Sequence, residues 1–305
     1  MQFLARLILT FFAMLGGLAH ASERIEVVWG FAPGGSQANI VRQIIQQANS
    51  DQNRIQFVFL HKPGAGGSIA ANHVSSNPNT AVVAMSSSFI IRPKFERGVN
   101  THNLDDFAPV IVQSTGAPLF VVSNKISSPQ QLLKSTKLTI GVSGVGGIGH
   151  LAANELAKKI PDSILINFSN MVDAMTAAAG GHVDIAVGFY GDVQALVESG
   201  KLQVIGYTGD KKLERTPGVP LKDFGIAPTF SSHAIYISNR MDRSLQKDIR
   251  EILYRANQSP AVSELYLKDL MTKSDLDALA TQKWYDQQRS LWQDKVKNIT
   301  PIQSR

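Results

Sequence analysis

Ser143 and His150 lie close together in GVSGVGGIGH (Gly141–His150), and a serine beside a histidine is the minimum equipment for acyl transfer. The pair lacks the rest of that machinery. A nucleophile elbow needs G-x-S-x-G, but Val145 stands where the last glycine belongs, and no nearby acid would orient His150. The same stretch holds Gly144-Val145-Gly146-Gly147-Ile148-Gly149, a literal G-x-G-x-x-G behind a strand-like run, the pattern for a dinucleotide pyrophosphate. Its confirming acid is missing, because the next strand-like run ends at Phe168-Ser169-Asn170. Two more glycine loops, FAPGGSQAN (Phe31–Asn39) and HKPGAGGS (His61–Ser68), also follow a strand and open a helix. None carries the lysine of G-x-x-x-x-G-K-[ST], so phosphoryl transfer has little support. What the three loops share is backbone N–H at a helix start, where the dipole is positive and a small anion such as a carboxylate can bind. Any one of them could instead be only a tight turn.

Other chemistry is thinly provided. The seven histidines are scattered without H-x-x-x-H spacing, and the chain has no cysteine, which excludes thiol nucleophiles, thiolate metal sites and disulfides. Asp105-Asp106 reads as a solvated turn and Asp184 as a strand-end cap. The expectation is a protein with no catalytic residues, no metal and no cofactor.

Positioning such loops takes alternating strands and helices. Ile25–Trp29, Ile55–Leu60, Ala81–Met85, Leu138–Val142, Ile164–Phe168, Val183–Val187 and Leu202–Tyr207 read as buried strands. Ile40–Ala48, Leu151–Ile160 and Met171–Ala179 have apolar residues at helical spacing, and the alternation predicts α/β layers with parallel sheets. Composition shifts at STGAPLFVVS, ending at Ser123, and in the long loop Asp210–Ser232 mark two boundaries. They predict one lobe from 22–123 plus 233–305 and a second from 124–232, with two crossings, a hinge and a cleft between. The tail, Asp242–Ile299, reads as helical, with Trp284, Tyr285 and Trp292 docking it.

With 305 residues, 44% hydrophobic and 18% charged, the chain is an ordinary globular protein able to build a large core. Arg6, the apolar run Leu7–Leu18 and Ala19-His20-Ala21 describe a secretory signal peptide cleaved after Ala21, too short to span a membrane. The formal charge of +6 falls by one with Arg6 and is scattered, without the basic stripe of a nucleic-acid binder; it suits a small anionic ligand.

The motifs FAPGGSQANIVRQ, HKPGAGGSIAA, DDFAPVI, GVSGVGGIGHLAANELAKK, GGHVDIAVG and GKLQVIGYT, taken in order, resemble the periplasmic receptors of tripartite tricarboxylate transporters, the Bug-type or TctC-like proteins. The resemblance covers almost the whole mature chain. It implies a type II periplasmic binding protein fold, two hinged α/β lobes around a ligand cleft. It also implies capture of a small organic carboxylate for delivery to membrane permease subunits, or a sensing role through a membrane kinase without transport. Carried over by residue, it puts Phe31, Ala32, Gly34, Gly35 and Ser36, with Ser86, Ser87 and Ser88, on the first lobe's side of the cleft. Ser143, Gly144, Gly146, Gly147 and His150, with Phe168 and Ser169, would face them from the second.

The chain departs from the family pattern at four places. Ala38 and Gly188 stand where aspartates are frequent, Arg92-Pro93 replaces Asn-Pro, and His233 replaces an aromatic residue. Loss of two acids and gain of Arg92, if it faces the cleft rather than solvent, predicts a less negative cleft and a more anionic ligand.

Overall fold

The computed structural model describes residues 23–95, 101–214 and 216–296. The expected signal peptide and its cleavage site lie outside them. Two sheets organise the chain. Glu23–Trp29 (β1), Ile55–His61 (β2) and Ala81–Ser86 (β3) alternate with helices Ser36–Asp51 (α1), Ser68–Ser76 (α2) and Ser88–Phe95 (α3). β3 is buried at every position, as a strand covered on both faces must be. α1 buries Ile40, Val41, Ile44, Ile45 and Ala48, the i, i+4 stripe that pins it to the sheet.

Phe107–Pro118 (β4) then runs through Leu119 into Phe120–Ser123 (β5). The second lobe continues with Pro129–Lys134 (α4), Thr139–Ser143 (β6), Ile148–Ala157 (α5), Ile164–Phe168 (β7), Met171–Ala179 (α6), Ile185–Gly188 (β8), Tyr190–Glu198 (α7) and Gln203–Tyr207 (β9). Phe230–Ser238 (β10) returns to the first lobe, followed by Arg243–Asn257 (α8), Pro260–Lys268 (α9), the short Thr272–Lys273 (β11) and Ala278–Lys295 (α10). The first sheet has the order β11-β4-β10-β3-β1-β2 and the second β7-β6-β8-β5-β9.

Both lobe boundaries need correction. The first crossing falls at Leu119 rather than Asn124, because β5 pairs with β8 and β9 and so belongs to the second sheet. The return comes ahead of Phe230 rather than at His233, since β10 pairs with β4 from Phe230 onward. Nor are the sheets all parallel. β1, β2 and β3 are parallel, as are β6, β7 and β8, but β10 is antiparallel to β3 and β5 to β8. The crossing strands enter each sheet from the other lobe, without a helical crossover to reverse their direction.

The C-terminal helices close the first lobe. α8 packs on α1 and β4, and α10 on α3 and β4, with Trp284, Tyr285 and Trp292 buried as anticipated. The Tyr285 hydroxyl donates to the Leu104 carbonyl at 3.2 Å. Asp105 and Asp106 lie exposed in a turn, where Arg289 pairs with Asp105, and Asp184 accepts from the Thr139 N–H at 2.8 Å. Asp105 and Asp184 thus have structural roles, and Asp106 is exposed.

Candidate functional site

Strand ends and helix starts of both lobes meet in one cleft, which holds two adjoining chambers. The first, about 60 Å³, is lined from the first lobe by Trp29, Phe31, Ala32, Gly34, Gly35, Gln37, Ala38, Ser86, Ser88 and His233. Ser143, Asn170, Met171, Val172, Phe189 and Asp192 line it from the second. The second chamber, about 360 Å³, is bounded by Gly30, Phe31 and the loop Pro63–Gly66 with Arg92, against Gly144, Val145, Asn167, Phe168 and Ser169. Phe31 lines both, and the consecutive residues Ser143 and Gly144 divide between them.

Half of the ten described helices are capped by their own flanking side chains: Ser128, Asn170, Asp242, Ser259 and Asp277 each accept from a first-turn N–H. Two of the helices that open onto the cleft take their caps from elsewhere. α1 has Gly35 at its N-cap and α5 has Gly147, so neither flanking residue offers a side chain. The opposite lobe supplies the acceptor in each case. Asp192 Oδ1 accepts from the Ser36 N–H at 2.7 Å, and Ser88 Oγ accepts from the Ile148 N–H at 3.2 Å.

Gly35 has φ 85° and ψ 147°, a conformation reserved for glycine, and a Cβ there would lie 3.2 Å from Asp192 Oδ1. Gly191 permits the approach from the other side, since a Cβ on it would overlap both the Asp269 carboxylate and Ser36 Cβ. Desolvation pushes the Asp192 carboxyl up to about 6, with the neighbouring Asp269 adding to the rise and the Ser36 N–H opposing it. Burial also raises Asp269.

Ten of the fifteen anticipated residues line the two chambers, and five do not. Ser36 is buried behind the first turn of α1, with its N–H turned to Asp192. Ser87 ties α3's approach to β10, accepting from the Ser232 N–H at 2.8 Å. His150 is fully buried beneath its own loop, where Nδ1 accepts from the Gly146 N–H at 3.0 Å and the ring meets Phe95 edge-on. Gly147 N–H closes the turn onto the Gly144 carbonyl at 2.8 Å. Gly146 and Gly147 thus spend their amides inside the loop. Arg92 faces the cleft, partly buried, and donates across it to the Val145 carbonyl.

The cleft is also not stripped of acid. Asp192 restores a carboxylate beside Ala38, from the lobe opposite to the one where the family pattern carries it. In the sequence Asp192 was one more acid in a helix, with no cue but its place in the turn after β8. Trp29, Phe189 and Met171 were equally silent, being ordinary apolar residues at strand and helix ends. His233 is 2% exposed; Nδ1 lies 2.9 Å from Ser114 Oγ, Phe189 packs edge-on against its ring at 5.2 Å, and burial pushes it down to about 3.

Known structures share this architecture. The periplasmic binding protein BugD superposes with a TM-score of 0.81 at 18% identity, covering 92% of this chain and 99% of its own. MatC from Rhodopseudomonas palustris, solved with bound malate, gives 0.78 at 16% identity, covering 90% and 98%. Another R. palustris protein, solved with adipate, gives 0.78 at 18% identity, covering 90% and 96%. These likenesses establish the fold, two α/β lobes of the periplasmic binding protein type. At the level of sequence, the profile of the tripartite tricarboxylate transporter family receptor (TctC) matches residues 40–304, and the chain belongs to that family.

Proposed function

We propose that this protein is an exported receptor that captures a small organic carboxylate between its lobes and delivers it to the permease subunits of a membrane transporter. One observation carries the reading: the chambers are walled from both lobes, so an occupant touches both and favours the closed arrangement by its differential affinity. The hinge is then the pair of crossings, at Leu119 and just before Phe230. Relatives of the same fold that hold malate and adipate support a carboxylate as the occupant. The site residues of this reading are Phe31, Ala32, Gly34, Gly35, Ser86, Ser88, Ser143, Gly144, Phe168 and Ser169. Export follows from the leader, with Ser22 as the mature N-terminus, which mass spectrometry of a periplasmic extract would detect.

A thermal-shift panel of mono-, di- and tricarboxylates tests the binding. A ligand at a hundred times its dissociation constant stabilises the native state by about 2.7 kcal/mol. At least one carboxylate should produce that shift and reduce the radius of gyration in small-angle scattering. A panel without a single binder would overturn the reading.

A further inference from the structure

The narrow chamber has polar groups of one character. No lysine or arginine is among the described residues that line it, whereas Asp192 is. His233 is 2% exposed and lines the same chamber, and its Nε2 has no partner among the described residues. Ser114 Oγ can either donate to Nδ1 or accept from it, and a cation in the chamber selects the tautomer in which Nδ1–H donates to Ser114 and Nε2 presents a lone pair. Burial keeps this imidazole neutral, so in that tautomer it adds an acceptor without adding positive charge. Trp29, Phe31 and Phe189 give the chamber aromatic faces, which attract a cation. The positive end of α1 is already occupied by Asp192. A ligand carboxylate placed there would meet a like charge, with Asp269 adding a second behind it. The wide chamber is the opposite: Arg92 and the glycine loops at Gly64–Gly66 and Gly144 suit an anion.

We infer that the ligand is an amino carboxylate, its ammonium held in the narrow chamber between Asp192, His233 Nε2 and the aromatic faces, and its carboxylate in the wide chamber on the side of Arg92. This rests on the receptor reading above and sharpens it. Asp192 is the specificity-determining residue, and a buried ammonium is stable there because it gains an ionised partner.

Isothermal calorimetry on the mature chain, with probes matched in length, decides the matter. The probes are γ-aminobutyrate, δ-aminovalerate and ε-aminocaproate, the dicarboxylates succinate, glutarate and adipate, and the monocarboxylates butyrate, valerate and caproate. At pH 7.5 at least one amino carboxylate should bind tenfold or more tighter than both of its length-matched counterparts. Asp192→Asn, which keeps an oxygen for the Ser36 N–H, should cut that preference to about threefold or less.

The wild type offers a second readout that needs no variant. Lowering the pH to 5 should weaken the amino carboxylate about tenfold, as a carboxyl near 6 becomes protonated. The titratable groups around Asp192 are Asp269, with Lys268 beside it, His233 in the same chamber, and Tyr190 two positions earlier on α7. Tyr190 is raised by burial and keeps its proton, and His233 stays neutral. Asp269 is the other group able to titrate, and persistence of the pH effect in Asp192→Asn would transfer the role away from Asp192 and overturn the assignment. Dicarboxylates or monocarboxylates binding as tightly as the amino carboxylates would overturn the inference and leave the carboxylate receptor standing. Binding by none of the nine would overturn both.

Discussion

α1 and α5 begin in the same way and are completed in the same way, yet one carries a charge and the other does not. Each follows a glycine that cannot cap it, and each receives its cap from across the cleft, a carboxylate from Asp192 for α1 and a hydroxyl from Ser88 for α5. The exchange is reciprocal, so each lobe completes a helix of the other. A helix start needs an acceptor for its orphan N–H groups, and here the protein supplies one only while the lobes are together, with water taking its place when they part. The chemical difference matters as much as the symmetry. The hydroxyl holds α5 at any pH, whereas the carboxylate makes the α1 contact responsive to pH and sets the sign of the narrow chamber.

The largest expected effect comes from breaking the α1 side. Gly35→Val must hold φ 85° and ψ 147° with a branched side chain and push Asp192 away. The strain should cost up to about 3 kcal/mol in denaturant unfolding. A variant as stable as wild type would mean that the loop adopts another backbone.

The charge on Asp192 comes next. Its carboxyl is raised on folding, so its contribution to stability is complete below the unfolded value, near 3.8, and is lost as the pH rises through about 6. Wild type minus Asp192→Asn should therefore lose on the order of 2 kcal/mol between pH 4 and pH 7. A flat difference would show that the carboxyl is not desolvated in solution.

On the α5 side, Ser88→Ala leaves the buried Ile148 N–H without its acceptor, at a cost of about 1–2 kcal/mol that does not change with pH. Comparable pH profiles for this variant and Asp192→Asn would remove the distinction between the two caps. Smallest is Gly144→Ala. Gly144 has φ 69° but a Cβ there meets nothing within 4 Å, so the penalty is backbone strain alone, about 1 kcal/mol. A much larger loss would mean that this loop, like the one at Gly35, is tightly pressed by the opposite lobe.

Much of this molecule was determined by its sequence alone. Strand and helix order follow from local periodicity: α6 occupies Met171–Ala179 as anticipated, with its own Asn170 cap, and β7 occupies Ile164–Phe168, although it is an edge strand, half-buried rather than buried as expected. The three glycine loops fall at the cleft for the same reason, being short links between a strand and a helix. Gly116 and Pro118 marked the crossing at Leu119, but its exact position was hidden because β4 and β5 are separated by that residue alone and the apolar run of β5 would fit either sheet. Only tertiary structure decided the character of the site. Ser36 and Asp192 are separated by 156 positions, and Ser88 and Ile148 by 60, so neither cap exists until the lobes meet. The same holds for His150, which the family resemblance placed at the cleft and packing turned inward beneath its loop. A residue's type and neighbours fix which bonds it can form, but the charge and pKa of a cleft depend on which distant groups close over it and exclude water.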